Sequence, residues 1–294
     1  MLKHEYGKMM SDCTSLKIGG PVFCWFEPED FEGIVEAISV AETNKKALAF
    51  FGNGTNILAR DEGFDGVAIR LDGGFNYIED EGNRLVRVGS AVFLPRLIKE
   101  CAELGLTGCE FLSGIPASFG GVLFMNAGVR SIGDREKRKE IKDIIVDIDV
   151  LDLRDKKRKT LKRNDIEFSY RSSGLEGVCI LGGRIRLEKD KKSAIINRID
   201  SFMEKRIGLC DLGFPSAGSV FRNPQGTRPA GRLIEECGLK GYRVGKAEFS
   251  VVHANVIVNT GGATSKDVFD LIDLAKKRVK KRFGIELELE LKVI

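Results

Sequence analysis

A glycine-rich stretch near the middle of the chain, residues 110–128 (EFLSGIPASFGGVLFMNAG), most constrains how this sequence can fold. Four glycines stand there beside small residues: Gly114, Gly120, Gly121 and Gly128. Glycine tolerates positive φ and lets another group approach the backbone, so such a cluster is typical of a main chain wrapped around a ligand. Where the loop opens a helix, here residues 117–125, unpaired N–H groups and the helix dipole favour an anion. The pattern therefore favours a bound phosphate.

A second loop of the same kind, GNGTN at residues 52–56, directly follows the apolar run at residues 47–51. Two such loops predict a diphosphate held from both sides. A glycine-rich turn is often no more than a tight connection, however, and neither loop fits the dinucleotide fingerprint GxGxxG or the P-loop pattern GxxxxGK[ST]. Spacing alone leaves both interpretations open.

Length and charge limit the class of protein. A chain of 294 residues predicts two domains, or one domain with a large insertion. The net charge of +4 comes from well-mixed signs, so nothing indicates nucleic-acid or membrane binding. Seven cysteines, never spaced CxxC, argue against a disulfide framework or a metal site. With no signal-like N-terminus and no long apolar run, we expect a cytoplasmic protein.

Apolar periodicity predicts the elements that carry the loops. Helical spacing predicts helices at residues 29–45, 95–104, 192–207, 229–237 and 264–283. Apolar alternation predicts strands that include residues 144–153, 159–161, 178–181 and 184–187, and a terminal strand at 285–293 with its leucines on one face. We expect one domain at residues 1–206, with lobes at about 1–72 and 73–206, and a second at 207–294.

The stretch SGIPASFGGVLFMNAG resembles the SGIPGSxGGxxxMNAG signature of the UDP-N-acetylenolpyruvoylglucosamine reductases, the MurB flavoenzymes of peptidoglycan synthesis. In that family this stretch lies against the diphosphate and isoalloxazine of FAD, as does the stretch that matches GNGTN. The resemblance implies non-covalent FAD binding by Gly52, Asn53, Gly54, Thr55, Asn56, Ser113, Gly114, Ile115, Pro116, Ser118, Gly120, Gly121, Asn126 and Gly128.

Three further motifs extend the resemblance. FSYRSSG at residues 168–174 is similar to the family's F.YR.S, whose arginine is catalytic, which implies this role for Arg171. PSAGSVFRNP at residues 215–224 is similar to the motif whose serine donates a proton, here Ser219. In the family, the basic residue and the asparagine of this motif contact the UDP-sugar, which implies the same role for Arg222 and Asn223. The family's last strand carries an active-site glutamate, here Glu290.

Each motif also has an ordinary structural interpretation. A Tyr-Arg pair is commonly a surface feature, PSAGS can be a strand entered through a small-residue turn, and the acidic face around Glu290 can simply be solvated. The histidines are His4 and His253, so a Ser-His-Asp hydrolase has almost no support. We interpret His253, between apolar residues, as a packed core histidine.

The implied chemistry suits these residue types. Hydride addition to an enolpyruvyl double bond leaves negative charge beside a carboxylate, which a guanidinium can hold bidentately. A serine hydroxyl can then protonate the strongly basic intermediate. The resemblance implies NADPH as the hydride donor, a small UDP-sugar substrate and a monomer. A different flavoenzyme on the same fold and a non-catalytic UDP-sugar-binding relative stay open as alternatives.

The implied fold is α+β, a two-lobed FAD-binding domain of the vanillyl-alcohol-oxidase (PCMH) type followed by a smaller substrate-binding domain. No insertion has the length of the tyrosine-bearing loop of one branch, so the shorter type II branch is the better match. The chain departs from the family pattern at Cys13, Val129, Lys246 and residues 210–214. Side-chain contacts that the family makes at these positions do not carry over.

Overall fold

The computed structural model describes residues 3–130, 138–207 and 213–294. Its helices are α1 (Phe31–Thr43), α2 (Leu94–Glu103), α3 (Phe119–Phe124), α4 (Lys192–Ile207), α5 (Ala230–Glu236) and α6 (Ser265–Phe283). Its strands are β1 (Lys3–Tyr6), β2 (Val22–Glu27), β3 (Ala47–Phe51), β4 (Ile57–Leu58), β5 (Phe64–Arg70), β6 (Ile78–Gly82), β7 (Leu85–Gly89), β8 (Leu106–Thr107), β9 (Gly128–Arg130), β10 (Arg138–Glu140), β11 (Ile145–Asp152), β12 (Arg158–Lys162), β13 (Val178–Arg186), β14 (Glu188–Lys189), β15 (Ser216–Ser219), β16 (Arg243–Val244), β17 (Ala247–Phe249), β18 (Val256–Asn259) and β19 (Lys292–Val293).

Two compact units divide the chain, and they do not follow contiguous ranges. The first contains residues 1–4, 26–52 and 68–206, and the second contains 5–25, 53–67 and 207–294. Apolar contacts explain why two N-terminal stretches join the C-terminal residues. Leu16, Ile18 and Leu58 are buried in one cluster with Phe221 and Leu271.

The first unit is organised around a five-stranded antiparallel sheet of order β12-β11-β13-β7-β6. Helices α2 and α3 contribute Leu97 and Phe119 to the core that includes Val86, Val88 and Ile148. The prediction of separate strands at residues 178–181 and 184–187 is wrong, because β13 runs unbroken through two glycines. These glycines permit close strand packing: a Cβ at Gly182 would lie 2.6 Å from the Val88 carbonyl oxygen.

Most predicted helices are confirmed, and side-chain caps mark the start of α1, α3 and α6, whereas α2 and α5 begin without one. Asp30 caps α1, its Oδ1 accepting a 2.8 Å hydrogen bond from the Gly33 N–H. Helix α4 has the predicted bounds, but not all of its apolar side chains face the core, because Ile196 and Met203 are 40% and 38% exposed. The side chains that pack on the core are Ile195, Ile199 and Phe202, spaced i, i+4 and i+7.

The second unit contains the antiparallel sheet of order β15-β18-β17-β16, with α5 and α6 beside it. Helix α6 begins with a capping box in which Thr264 Oγ1 accepts from the Asp267 N–H and Asp267 accepts from the Thr264 N–H. The apolar residues that recur at helical spacing form its buried face: Val268, Leu271, Ile272, Ala275 and Val279.

The terminal segment differs from the predicted continuous strand. Leu289 forms an isolated antiparallel bridge to Phe221, and the ladder resumes at β19, which pairs with β4 in parallel. Buried and exposed side chains still alternate along this segment, although it forms no continuous ladder. Leu287 and Leu291 are buried, whereas Glu286 and Glu288 are exposed. Residues 131–137 and 208–212, which include part of the departure from the family pattern at 210–214, lie outside the described residues.

Candidate active site

The signature loop is held by hydrogen bonds within the first unit. Ser118 caps α3, and its Oγ accepts from the Gly121 N–H at 3.3 Å. The two preceding N–H groups are also used, because Phe119 donates to the Val92 carbonyl and Gly120 to the Ser90 carbonyl, both at 2.8 Å. The expectation of unpaired N–H groups where the helix opens is therefore wrong for these three donors.

The glycines of this loop serve different purposes. A Cβ at Gly52 would lie 2.4 Å from Ser118 Oγ, so the end of β3 packs directly on the signature loop. A Cβ at Gly120 would lie 2.9 Å from the Ser90 Cβ, which makes this glycine a requirement of the fold. At Gly121 the nearest atom, Ser118 Oγ, would be 3.4 Å away, an ordinary contact. Packing alone therefore does not require a glycine at position 121.

Other loop residues also pack against the protein itself. Gly114 has φ +78°, and a Cβ there would lie 2.5 Å from Arg206 Cδ. Gly128 pairs with Glu140 in β10, and its Cβ would lie 2.0 Å from the Lys139 carbonyl oxygen. Ile115 and Pro116 lie between these ends, and Pro116 is exposed. Gly114 and Gly128 thus shape the loop through close backbone packing.

Two buried serine hydroxyls lie in this region. Ser113 Oγ and Ser90 Oγ are buried, and neither has a hydrogen-bond partner among residues 3–130, 138–207 and 213–294. Buried polar groups are normally satisfied, so both hydroxyls are suited to bind a ligand. Sequence reasoning missed Ser90. Its signal is the Gly89-Ser90 pair at the end of the apolar strand β7, which is similar to the glycine that directly follows β3.

A buried carboxylate anchors the start of the loop. Glu110 accepts hydrogen bonds from Thr107 Oγ1 at 2.5 Å, the Gly108 N–H at 2.6 Å and Arg198 Nε at 3.0 Å. Burial raises the pKa of Glu110, but these hydrogen bonds outweigh burial, so the pKa lies below its ordinary value. The ionised Glu110 carboxylate therefore stabilises the backbone directly before Ser113.

Glu110→Gln should lower the free energy of unfolding by about 2 kcal/mol at neutral pH, since it breaks charged hydrogen bonds at a buried site. Because folding lowers the pKa, this contribution is complete above the unfolded value near 4.3 and is lost as the pH falls through the folded value. Denaturant titrations should show a smaller difference in the free energy of unfolding between wild type and Glu110→Gln at pH 3 than at pH 7. Glu103→Gln, at an exposed ion pair with Lys192, should change stability little at either pH.

The structure brings Arg171 to the end of the signature stretch. Ser169 and Ser172 exchange backbone hydrogen bonds of 2.9 and 3.2 Å, and Arg171 sits in this turn with φ +58°. Asn126, which is fully buried, donates to the Ser169 carbonyl at 2.9 Å and to Glu140 Oε2 at 3.0 Å. A non-glycine residue at positive φ is uncommon and often marks a functional site.

Neighbouring side chains contact the turn that contains Arg171. Ser173 Oγ donates to the Phe124 carbonyl at 2.8 Å, at the end of α3. The guanidinium carbons of Arg138 and Arg171 lie 4.4 and 5.2 Å from the centre of the Tyr170 ring. Asn126 thus holds the Arg171 turn through protein contacts, whereas the resemblance implies a role in cofactor binding.

In the second unit, the rest of the GNGTN loop contacts the terminal segment. Gly54 has φ +65°, and a Cβ there would lie 2.1 Å from the Cys13 carbonyl oxygen. Asn56 Nδ2 donates to the Glu290 carbonyl at 3.2 Å, and the Asn56 carbonyl accepts from the Lys292 N–H at 3.0 Å. Asn53 is exposed, and Thr55 is half-buried. The structure therefore brings this loop and Glu290 together.

Ser219 ends β15 and is held through its neighbours. Its backbone pairs with Val256, and the Glu290 N–H donates to the carbonyl of Val220 at 2.8 Å. Asn255, fully hydrogen-bonded across the strands, accepts from the Phe221 N–H and donates to the Phe221 carbonyl. The Ser219 segment and the Glu290 segment are thus adjacent, beside the isolated bridge between Phe221 and Leu289.

Arg222 and Asn223 continue from this strand. The Arg222 N–H donates to the Glu288 carbonyl at 2.9 Å, which extends the pairing with the terminal segment. Asn223 Oδ1 accepts from the Ala230 N–H at 3.0 Å at the start of α5. The backbone of Arg222 and the side chain of Asn223 are therefore both fixed by protein contacts.

The prediction of a packed, hydrogen-bonded core histidine is only partly confirmed for His253, which is hydrogen-bonded but half-buried and follows the exposed residues Val251 and Val252. Its Nδ1 accepts a 3.1 Å hydrogen bond from the Asn255 N–H, and burial lowers the pKa of the imidazole. Within the described ranges, no cluster of His, Cys, Asp or Glu could hold a metal ion, and no helix is long and apolar enough to cross a membrane.

Comparisons with known proteins cover the whole chain. Residues 24–158 match the model of an FAD binding domain, and residues 210–294 match that of the UDP-N-acetylenolpyruvoylglucosamine reductase C-terminal domain. The chain is 36% identical to the UDP-N-acetylenolpyruvoylglucosamine reductase of Bacillus subtilis, over 99% of this chain and 96% of the relative. It is 37% identical to that of Clostridium botulinum (strain Eklund 17B / Type B), over 97% and 91%.

A solved structure is similar over the same length. The crystal structure of UDP-N-acetylenolpyruvylglucosamine reductase (MurB) from Thermus caldophilus has a TM-score of 0.85 and 35% identity, covering 100% of this chain and 99% of that chain. The fold and the matched domains define an FAD-dependent oxidoreductase. The chain belongs to the UDP-N-acetylenolpyruvoylglucosamine reductase (MurB) family. The predicted fold class and FAD as cofactor are thereby confirmed.

The residues of the first unit fit an FAD molecule. Ser90 and Ser113 offer buried hydroxyls that no described residue satisfies, which suits the acceptor oxygens of a diphosphate. Gly121 has no side chain, and this leaves space beside the loop for a ligand. Ser113 and Gly121 lie on the signature loop, and Ser90 contacts that loop because its carbonyl accepts from the Gly120 N–H, so candidate donors and an open position for the cofactor are present.

Proposed function

We propose that this protein catalyses the NADPH-dependent, FAD-mediated reduction of UDP-N-acetylglucosamine enolpyruvate to UDP-N-acetylmuramate. The observation that carries the proposal is the adjacency of the Ser219 and Glu290 segments, joined by the hydrogen bond from Glu290 N to the Val220 carbonyl. A different flavoenzyme on this fold would need neither PSAGSVFRN nor a terminal glutamate. The cofactor contacts proposed are those implied by the signature and the GNGTN loop.

The proposed roles follow from the chemistry of each side chain. FAD, when bound, supplies the transfer of hydride from NADPH to the enolpyruvyl double bond. Arg171 binds the substrate carboxylate and holds the negative charge that develops beside it. Ser219 donates its hydroxyl proton to the neighbouring carbon. Glu290 orients the substrate or assists this protonation, and Arg222 and Asn223 bind the UDP-sugar.

The proposal includes the organisation of the protein. Residues 1–206 form the FAD-binding domain and residues 207–294 the substrate-binding domain, with residues 285–294 returning to the active site. We propose a monomer in the cytoplasm, where UDP-sugars and NADPH are available. NADPH and the UDP-sugar are small-molecule partners that act in successive half-reactions.

Arg171→Ala should leave reduction of FAD by NADPH within about twofold of wild type and slow the substrate half-reaction by roughly 100-fold, because a charge-stabilising group is lost where charge develops. Arg171→Lys should recover part of this loss, since it restores the charge without the bidentate geometry. Stopped-flow absorbance measures both halves separately. A fall of equal size in both halves would contradict the role.

Product analysis tests the proposed reaction itself. Purified protein with FAD, NADPH and UDP-N-acetylglucosamine enolpyruvate should oxidise one NADPH for each UDP-N-acetylmuramate formed, as measured by absorbance and mass spectrometry. NADPH oxidation without this product would favour another flavin oxidoreductase. Binding of the UDP-sugar without turnover would favour a non-catalytic relative.

A further inference from the structure

One hydroxyl in the second unit connects the GNGTN loop to the strand that carries Ser219. Ser15 Oγ lies 2.7 Å from the Ser216 carbonyl oxygen and 3.2 Å from the Gly54 carbonyl oxygen. The Ser15 N–H also donates to the Gly54 carbonyl at 3.1 Å. Because the hydroxyl has one proton, the shorter contact to Ser216 is its main bond, and the N–H supplies the bond to Gly54.

The segment around Ser15 is itself held in place. Thr14 Oγ1 donates to the Ile18 carbonyl at 2.9 Å, and Asn259 Nδ2 donates to the Leu16 carbonyl at 3.1 Å. Leu16 and Ile18 are buried in the core of the second unit. Gly54 packs on this segment so closely that a Cβ would lie 3.0 Å from the Thr14 Cα. Ser15 therefore projects from a fixed support.

Strand β15 needs such support, because its own ladder is interrupted. Ser216 pairs with Val258 and Ser219 with Val256, with a register shift between them. Gly218, inside the irregular stretch, has φ +73°. A Cβ at Gly218 would lie 3.9 Å from the Thr55 carbonyl oxygen, so the loop also approaches the strand next to Ser219.

We propose that Ser15 is a positioning residue that sets β15, and with it the Ser219 hydroxyl, relative to the GNGTN loop. This inference rests on the proposed role of Ser219 as proton donor. Ser15 touches neither FAD nor substrate in this account. It acts through the Ser216 carbonyl, three residues before Ser219, and through Gly54.

Ser15→Ala removes the hydroxyl and keeps the backbone hydrogen bond to Gly54. Ser15→Thr keeps a hydroxyl at the same position. Ser11→Ala is a matched control, since it deletes a hydroxyl four residues earlier that bonds neither Gly54 nor Ser216 among the described residues. All three variants are compared with wild type as FAD-loaded full chains.

Hydrogen exchange tests the connection without reference to activity. In Ser15→Ala, amides of residues 216–220 should exchange about tenfold faster, because opening is easier without this bond. Ser15→Thr and Ser11→Ala should match wild type. Unchanged exchange at residues 216–220 in Ser15→Ala would overturn the inference.

Half-reaction kinetics test the positioning role. Ser15→Ala should slow reoxidation of reduced FAD by the enolpyruvyl substrate about tenfold, since small misplacements of a reacting group are costly. Reduction by NADPH should stay within about twofold of wild type, and Ser15→Thr should restore the second half-reaction. Faster exchange with both half-reactions unchanged would overturn the positioning role. A wild-type protein that cannot be reoxidised by the substrate would overturn the proposed function, whatever the exchange result.

Discussion

Ser219→Ala should abolish most of the second half-reaction while the first proceeds normally. The variant loses the hydroxyl that we propose as the proton donor to the substrate carbon, and general acids of this kind contribute about 10²–10⁴-fold in rate. The Ser219 main chain pairs with Val256 and Val220 accepts from Glu290 N, so the strand does not depend on the hydroxyl. We therefore expect the rate of the second half-reaction to fall with little change in the free energy of unfolding.

Stopped-flow absorbance under anaerobic conditions separates the two steps for Ser219→Ala. Bleaching by NADPH should match wild type within about twofold, and recolouring by the substrate should slow by at least about 100-fold. The first half-reaction is an internal control for FAD loading and folding. Ser219→Cys, which keeps a proton donor of different acidity, should fall between the two proteins. Equal loss in both steps would contradict the assigned role.

Gly121→Val should deplete the protein of FAD without unfolding it. Position 121 has room for a Cβ within the protein itself, because the nearest atom to an added Cβ is Ser118 Oγ at 3.4 Å. If FAD occupies the adjoining space, the larger side chain collides with it, and overpacking of this kind costs about 1–3 kcal/mol. That cost corresponds to a Kd weaker by roughly 5-fold to 150-fold.

Gly120→Ala is the matched control for this substitution. A Cβ at Gly120 would meet the Ser90 Cβ at 2.9 Å, so this variant should lower the thermal stability of FAD-free protein. Gly121→Val should leave that stability nearly unchanged and show its effect in the flavin absorbance after titration with FAD. A Gly121→Val protein that binds FAD as tightly as wild type would contradict the account of the loop.

Local patterns in the sequence predict much of the fold. Helix α6 follows directly from the Thr264 cap and from the apolar spacing of Val268 and Leu271, because both depend on neighbours within a few residues. The terminal segment shows where such patterns fail. Its strict alternation predicts a continuous strand, but a ladder also needs a partner, which the segment finds at Phe221 and again at β4.

Long-range contacts decide the parts of the site that the sequence does not predict. The motifs single out Arg171 and Ser219 as candidates. No local pattern, however, indicates that the Asn126 amide donates hydrogen bonds to Ser169 and Glu140. Ser15 belongs to no quoted motif, and its role depends on Ser216, some 200 residues away. Such contacts are properties of the folded chain, so only the structure displays them.

The flavin spectrum of the purified protein shows whether the chain binds FAD and turns over the enolpyruvyl substrate. We expect a yellow protein that NADPH bleaches without oxygen and that UDP-N-acetylglucosamine enolpyruvate then recolours. A protein that stays colourless after incubation with excess FAD, or whose reduced flavin the substrate cannot reoxidise, would contradict the proposed function.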